Sequence, residues 1–203
     1  MTRAPIDAWL DDLAARQPTP GGGGAAALTA ATAAALVSMV AKYTTGERFA
    51  SFEAKAVAID TDADRLRASA LELIERDAEA FAAVGAAYGL PKDDPQKRQD
   101  SIQAALAEAA EPPKRVAHVA TELIELAADL EPIANQNVLS DVGVAASLAA
   151  AALESALVNI EVNRALISDP GTRDALASEI AAVGPRQVRA AEIVSSVRET
   201  ISG

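Results

Sequence analysis

Apolar residues along the chain recur at spacings of three and four, and alternating β-branched runs are nearly absent, so the pattern predicts helices throughout. Ile6, Trp9, Leu10 and Leu13 mark a first helix over about 6–15, with Trp9 as a core anchor. The block Pro18-Thr19-Pro20-Gly21-Gly22-Gly23-Gly24 breaks the chain. A second helix, about 23–45, is apolar on every face, which predicts the central and most buried element. The turn Thr44-Thr45-Gly46-Glu47 leads into a third helix that runs to about Tyr88. Its seam of Phe52, Ala56, Ile59, Ala63, Leu66, Ala70 and Leu73 alternates spacings of three and four, and the next seam position is Asp77. Gly89-Leu90-Pro91 ends that helix. A fourth starts near Pro95 and runs to about Leu130, kinked or split at Pro112-Pro113, where each proline removes a backbone donor and clashes with the preceding turn. A loop over 135–139 precedes a fifth helix, capped by Ser140 or Asp141 and running to about Leu166. Ser168-Asp169-Pro170 then starts a sixth that reaches the end, broken at Gly184-Pro185. The pattern predicts an all-α, up-and-down bundle of about six helices, two of them long, in a single domain over residues 1–203.

Composition narrows what such a bundle does. At 203 residues the chain is long enough to bury a core without disulfides or metals. Residues 21–41 carry no charge and approach the length of a membrane span, but alanine, glycine, threonine and serine dominate them. That content fits a buried helix of a soluble protein, so no membrane partner is expected. The opening Met1-Thr2-Arg3-Ala4-Pro5 has no apolar signal region behind it, and a cytoplasmic location is expected. A formal charge of -11 and 3% aromatic residues leave neither a basic face nor stacking platforms for nucleic acid. There is no cysteine, and His118 is the only histidine, so thiolate and histidine-rich metal sites are excluded and no metal is expected.

Four features carry candidate chemistry. The glycines at 21–24 lie at a helix start, where free N–H groups and the helix dipole favour negative charge; close helix packing is the competing explanation. No Lys-Ser/Thr pair follows them, so they form no nucleotide P-loop. Asp77 puts a carboxylate into an apolar seam, a costly placement unless the group is paired or used. The block Asn135-Gln136-Asn137-Val138-Leu139-Ser140-Asp141 crowds amides and a carboxylate at a helix start, where such residues also serve as ordinary caps. On the fifth helix Asp141, Ser155, Asn159 and Asn163 share one side, yet Asn159 lies about 27 Å along the axis from Asp141. The two asparagines are therefore read as inter-helix or subunit-interface residues. His118 is read as a packing or surface residue.

Several of these stretches together resemble the cyclodeaminase/cyclohydrolase family of folate enzymes. They are Ile6-Asp7-Ala8-Trp9-Leu10, Pro18 to Gly23, Ala35-Leu36-Val37-Ser38-Met39-Val40, Asp77-Ala78-Glu79-Ala80-Phe81, Leu90-Pro91-Lys92-Asp93, Ile102-Gln103-Ala104-Ala105-Leu106, Ser140 to Ala146, and Asn159 to Asn163. Order and spacing hold from about residue 6 to 167. Where the family usually has consecutive lysines and an aromatic, this chain has Gly46-Glu47-Arg48-Phe49, and Ala134 stands where glycine is usual.

The resemblance implies a tetrahydrofolate substrate, possibly polyglutamylated, with a one-carbon unit between N5 and N10. It implies no metal or redox cofactor. It assigns proton transfer to Asp141 and Asp77, and ligand binding to Pro20, Gly21, Gly22, Gly23, Gly24, Asn135 and Ser140, with Lys42 or Arg48 supplying positive charge. Three activities fit. Hydrolysis of 5,10-methenyltetrahydrofolate to the 10-formyl form is favoured, because no transferase domain accompanies this one. Cyclodeamination of formiminotetrahydrofolate, with release of ammonia, is the second. A folate-binding bundle without catalysis is the third. A homodimer or larger assembly is expected, since one chain can hardly cover an all-apolar second helix. Helix lengths place the glycine loop and Asp141 at opposite ends of a chain, so each site should draw on two subunits.

Overall fold

A computed structural model describes residues 5–203; the opening tetrapeptide used in the location reading lies outside them. The described residues form eight α-helices and no strand: α1 (Ile6–Ala14), α2 (Gly22–Lys42), α3 (Glu53–Tyr88), α4 (Pro95–Ala109), α5 (Glu111–Leu130), α6 (Leu139–Leu166), α7 (Pro170–Val183) and α8 (Arg186–Ser202). Short 3-10 turns occupy Glu47–Phe49, Glu131–Ile133 and Gln136–Val138. The count exceeds six because both proline breaks are complete: Pro112-Pro113 separates α4 from α5, and Gly184-Pro185 separates α7 from α8.

α2 lies at the centre, packed on α3, α5 and α6, while α8 and α7 cover α6. Twelve of its residues are buried, among them a run of alanines that lets neighbouring helices approach closely. α2 and the segment Gln136–Leu166 are both apolar and long enough for a membrane span, yet half or more of each is buried inside the bundle. The seam of α3 is buried from Ala56 to Leu73, whereas Phe52 stays 43% exposed.

The register of α2 against its neighbours decides where chemistry can occur. Ser38 bonds Asp60 and Asp64 at 2.6 and 3.2 Å, and Gly24 bonds Asp77, so α3 runs antiparallel to α2. The Asn135 N–H donates to Thr44 Oγ1 and its amide nitrogen to the Tyr43 carbonyl, which ties the start of α6 to the end of α2. α6 thus also runs antiparallel to α2, bringing Asn159 back beside Gly22. α3 continues past Asp77 for three turns, and α4 doubles back along this overhang before α5 returns through the bundle.

Two local expectations are corrected. Trp9 anchors no core: no residue of α1 is buried, and the indole instead lies over the position of Gly24. Neither Ser140 nor Asp141 caps α6, since the helix already begins at Leu139 and Val138 precedes it without a side-chain cap. Both fall inside the first turn. Asp169 does cap α7, accepting the Thr172 N–H at 2.7 Å, and His118 pairs with Glu179 at 2.6 Å between α5 and α7.

Candidate functional site

The head of α2 explains the glycines. Extended backbone at Gly21 starts the helix, and Gly22 and Gly23 leave their N–H groups without a partner among the described residues. The Gly24 N–H donates to Asp77 Oδ2 at 3.1 Å. A methyl group on Gly23 would stand 2.0 Å from Asp77 Oδ1, so only glycine admits the carboxyl group to this cradle. Gly24 is packed against Trp9, Ile74 and Pro20 and lies behind the cavity.

Burial pushes the Asp77 carboxyl above its ordinary value, opposed by the Gly24 N–H, which favours the charged form. The group sits in a cavity of about 200 Å³ framed by Pro18, Thr19, Gly21, Gly22 and Gly23 on one side. Ala80, Phe81, Val84, Leu106 and Ala109 supply apolar walls, and Asn159, Val162, Asn163 and Leu166 close it from α6. Its contents can hold a proton on a carboxyl group and donate two hydrogen bonds beside it.

The asparagines therefore belong to the cavity, which corrects their reading as inter-helix or interface residues alone. Asn163 also has a packing duty: its amide nitrogen donates to the Ala109 carbonyl at 3.1 Å. In an unbroken helix that carbonyl would receive the N–H of residue 113, which is proline here. Both asparagines carried a signal in the sequence, an inward-facing polar pair one turn apart. Periodicity alone could not show that antiparallel packing brings this end of α6 to the glycines. Of the apolar walls, Ala80, Phe81, Leu106 and Val162 fall within the family-like stretches, whereas Val84, Ala109 and Leu166 carried no signal of their own.

The remaining candidates gather at the other end of α2. Asn135 binds the Tyr43-Thr44 turn, and Ser140 and Asp141 follow in the first turn of α6. Arg48 is exposed, with its guanidinium 5.6 Å from the Phe49 ring. Lys42 is held by Asp60 at 3.1 Å and by Ser38 at 2.8 Å, so its charge is already matched. With 21 residues in α2, roughly 30 Å of helix separates this group from Asp77. One chain does not bring the two groups together, as the helix arithmetic anticipated.

An all-α bundle with a carboxyl group whose pKa burial raises, bonded by a glycine amide at a helix start and walled by apolar side chains, has the features of an acid–base enzyme. The chain belongs to the family described as formiminotransferase-cyclodeaminase, which matches residues 5–182. It is 40% identical over 168 residues to a methenyltetrahydrofolate cyclohydrolase of Methylorubrum extorquens, covering 81% of each chain. It is 30% identical over 164 residues to the formimidoyltransferase-cyclodeaminase of Rattus norvegicus, of which it spans only 30%. The crystal structure of a formiminotetrahydrofolate cyclodeaminase from Thermotoga maritima superposes with a TM-score of 0.90 at 29% identity, covering 99% of this chain and 98% of that one.

Proposed function

We propose that the protein hydrolyses 5,10-methenyltetrahydrofolate to 10-formyltetrahydrofolate, in the cytoplasm, at sites shared between the two chains of an antiparallel homodimer. The observation that carries this is the Asp77 carboxyl group, held on one oxygen by Gly24 and shifted by burial toward keeping its proton. Water adds to the bridging carbon, giving a tetrahedral centre between N5 and N10, and a base takes the proton that the water sheds. The bond from that carbon to N5 then breaks. An acid protonates N5, the hydroxyl on that carbon gives up its remaining proton to the vacated carboxylate or to solvent, and the carbon becomes the formyl group on N10, with one proton released overall. Asp77 is the acid, and Asp141 of the neighbouring chain the base. The substrate's bridge is cationic, so the Asp141 carboxylate also favours its binding. These steps are proton transfers alone, and the reading calls for no metal or redox cofactor.

The dimer is supported by what one chain leaves uncovered. α6 exposes Val144, Val158, Val162 and Leu166, and these lie on one side of the helix at about 100° per residue. Ile6 and Leu10 of α1 are 66% and 50% exposed. The cavity of about 200 Å³ is also below the ~300–1,000 Å³ of a typical small-molecule site, as expected if a second chain completes it.

Loss of the near-ultraviolet absorbance of methenyltetrahydrofolate on addition of purified protein tests the reading; a rate equal to the uncatalysed one overturns it. Cyclodeamination is the second reading, favoured by the likeness to the Thermotoga maritima structure, since the same acid can assist departure of ammonia. Release of ammonia from formiminotetrahydrofolate, measured in parallel, separates the two.

A further inference from the structure

Of the cavity's two asparagines, Asn163 has spent both amide donors and Asn159 one of its two. Asn159 Nδ2 donates to the Ser155 carbonyl at 2.7 Å. Asn163 Nδ2 donates to the carbonyls of Ala109 and Asn159 at 3.1 and 3.0 Å. Carbonyl partners accept only the nitrogen end of an amide, so both side chains are fixed in orientation. Each Oδ1 accepts no hydrogen bond from the described residues, and both side chains line the cavity. Residues four apart on a helix lie about 5–6 Å from one another, so the α6 wall offers two acceptors one turn apart. The head of α2, adjacent to Asn159, has the reverse character, with the Gly22 and Gly23 N–H groups and the Asp77 carboxyl group. The cavity is therefore polarised, with acceptors on α6 and donors at the head of α2.

We infer that Asn159 and Asn163 are specificity residues that read the amino edge of a reduced pterin ring; this rests on the folate reading above. That ring is polarised in the same sense. The 2-amino group and the N8–H, on either side of one ring nitrogen, are donors. The 4-oxo group and N5 share the opposite edge. Seating the donor edge on the asparagine oxygens turns the 4-oxo group toward the glycine amides and N5 toward Asp77. Asp77 then faces the nitrogen that must take up a proton when its bond to the bridging carbon breaks. The asparagines set which face of the substrate meets the acid, and Asn159, whose oxygen lies beside Gly22, contributes most to ligand recognition.

The test compares methenyltetrahydrofolate with its 2-desamino counterpart on wild-type protein and Asn159→Leu. Wild type should prefer the amino compound by about 10- to 100-fold in kcat/KM, because the desamino ligand leaves an acceptor unpaired. Asn159→Leu should lose a similar factor on the amino compound, mostly through KM, and discriminate less than about threefold. Wild-type discrimination retained by Asn159→Leu overturns the assignment, as does its absence from wild type. If circular dichroism shows Asn159→Leu misfolded, Asn159→Asp carries the test: it keeps the shape and an acceptor oxygen, and should discriminate within about threefold of wild type. Wild-type protein inert toward methenyltetrahydrofolate removes the folate reading and this inference together. Active wild type with an unselective cavity removes this inference alone.

Discussion

Gly23 and Asp77 fit together only because Gly23 lacks a side chain: a Cβ there would lie 2.0 Å from Asp77 Oδ1. Gly23→Ala must therefore drive the carboxyl group out of its cradle and break its bond to the Gly24 N–H. Displacing a reacting group by about 1 Å costs on the order of 100-fold in rate, and a loss of at least that size is expected in kcat. Gly22→Ala meets only Asn159 at 3.7 Å, an ordinary contact, and should lose far less. Equal activity in the two variants would show that the cradle does not position Asp77.

Asp77→Asn should abolish turnover and raise stability at neutral pH. Burial raises the Asp77 pKa, so the folded chain holds this proton more tightly than the unfolded chain does. Stability from this group is full below the ordinary carboxylate value of about 3.9, falls as pH rises toward the raised value, and is level above it. The asparagine variant escapes that fall. Its gain in melting temperature over wild type should be present at pH 7 and vanish near pH 3; a gain unchanged across that range counts against a raised Asp77 pKa.

The seam of α3 made Asp77 legible from periodicity alone, because six apolar positions from Ala56 to Leu73 predicted a buried stripe and a carboxylate came next. The proline breaks were legible because proline removes a backbone donor, and the glycine block because a run of glycines signals a close approach, here that of Asp77 to Gly23. Asn159 was legible as inward-facing but not as part of the site. Helical periodicity states which way a side chain faces, and only the packing direction of α6 states what it meets. Trp9 misled because its indole lies over Gly24 rather than in a core, and Ile6 and Leu10 of the same stripe stay exposed.

Asn163 and Pro113 should be energetically coupled. Asn163→Leu leaves the Ala109 carbonyl without its donor, at a cost of about 1–3 kcal/mol. Alanine in place of Pro113 returns a backbone N–H four residues beyond Ala109, so Asn163→Leu should cost less in a Pro113→Ala background. A double-mutant cycle by urea denaturation measures the difference. Strict additivity would mean that the amide of Asn163 does not stand in for the missing N–H.

Folate affinity should weaken as salt rises, and Arg48 should be the residue responsible. Asp60 and Asp64 already match the charge of Lys42, whereas Arg48 is exposed and rests on the Phe49 ring. Exposed charges act over about one Debye length, roughly 10 Å at 0.1 M salt, so an anionic glutamate tail near Arg48 would be screened. Arg48→Glu should weaken binding by about three- to tenfold at low salt and flatten the salt dependence. Affinity that ignores both salt and the substitution would place the tail elsewhere.

The division of the candidate residues between two ends of α2 yields the most demanding test. Gly24 bonds Asp77 at one end of the 21-residue α2, and Asn135 bonds Tyr43 just past the other. At 1.5 Å per residue the gap is about 30 Å, too far for Asp77 and Asp141 of one chain to act on one carbon. In an antiparallel dimer the glycine loop of each chain meets Asp141 of its partner. Light scattering should then give twice the chain mass of 20.8 kDa. Gly22→Trp fills the cavity beside Asn159, and Asp141→Asn removes the base, so each variant alone should be inactive. Mixed by unfolding and refolding, they form heterodimers in which one site is intact and the other carries both changes. Random pairing makes half of the dimers mixed, so about a quarter of wild-type activity should return. No recovery from mixtures shown to exchange chains would mean that each site lies within one chain, and Asp141→Asn active on its own would remove Asp141 from the chemistry.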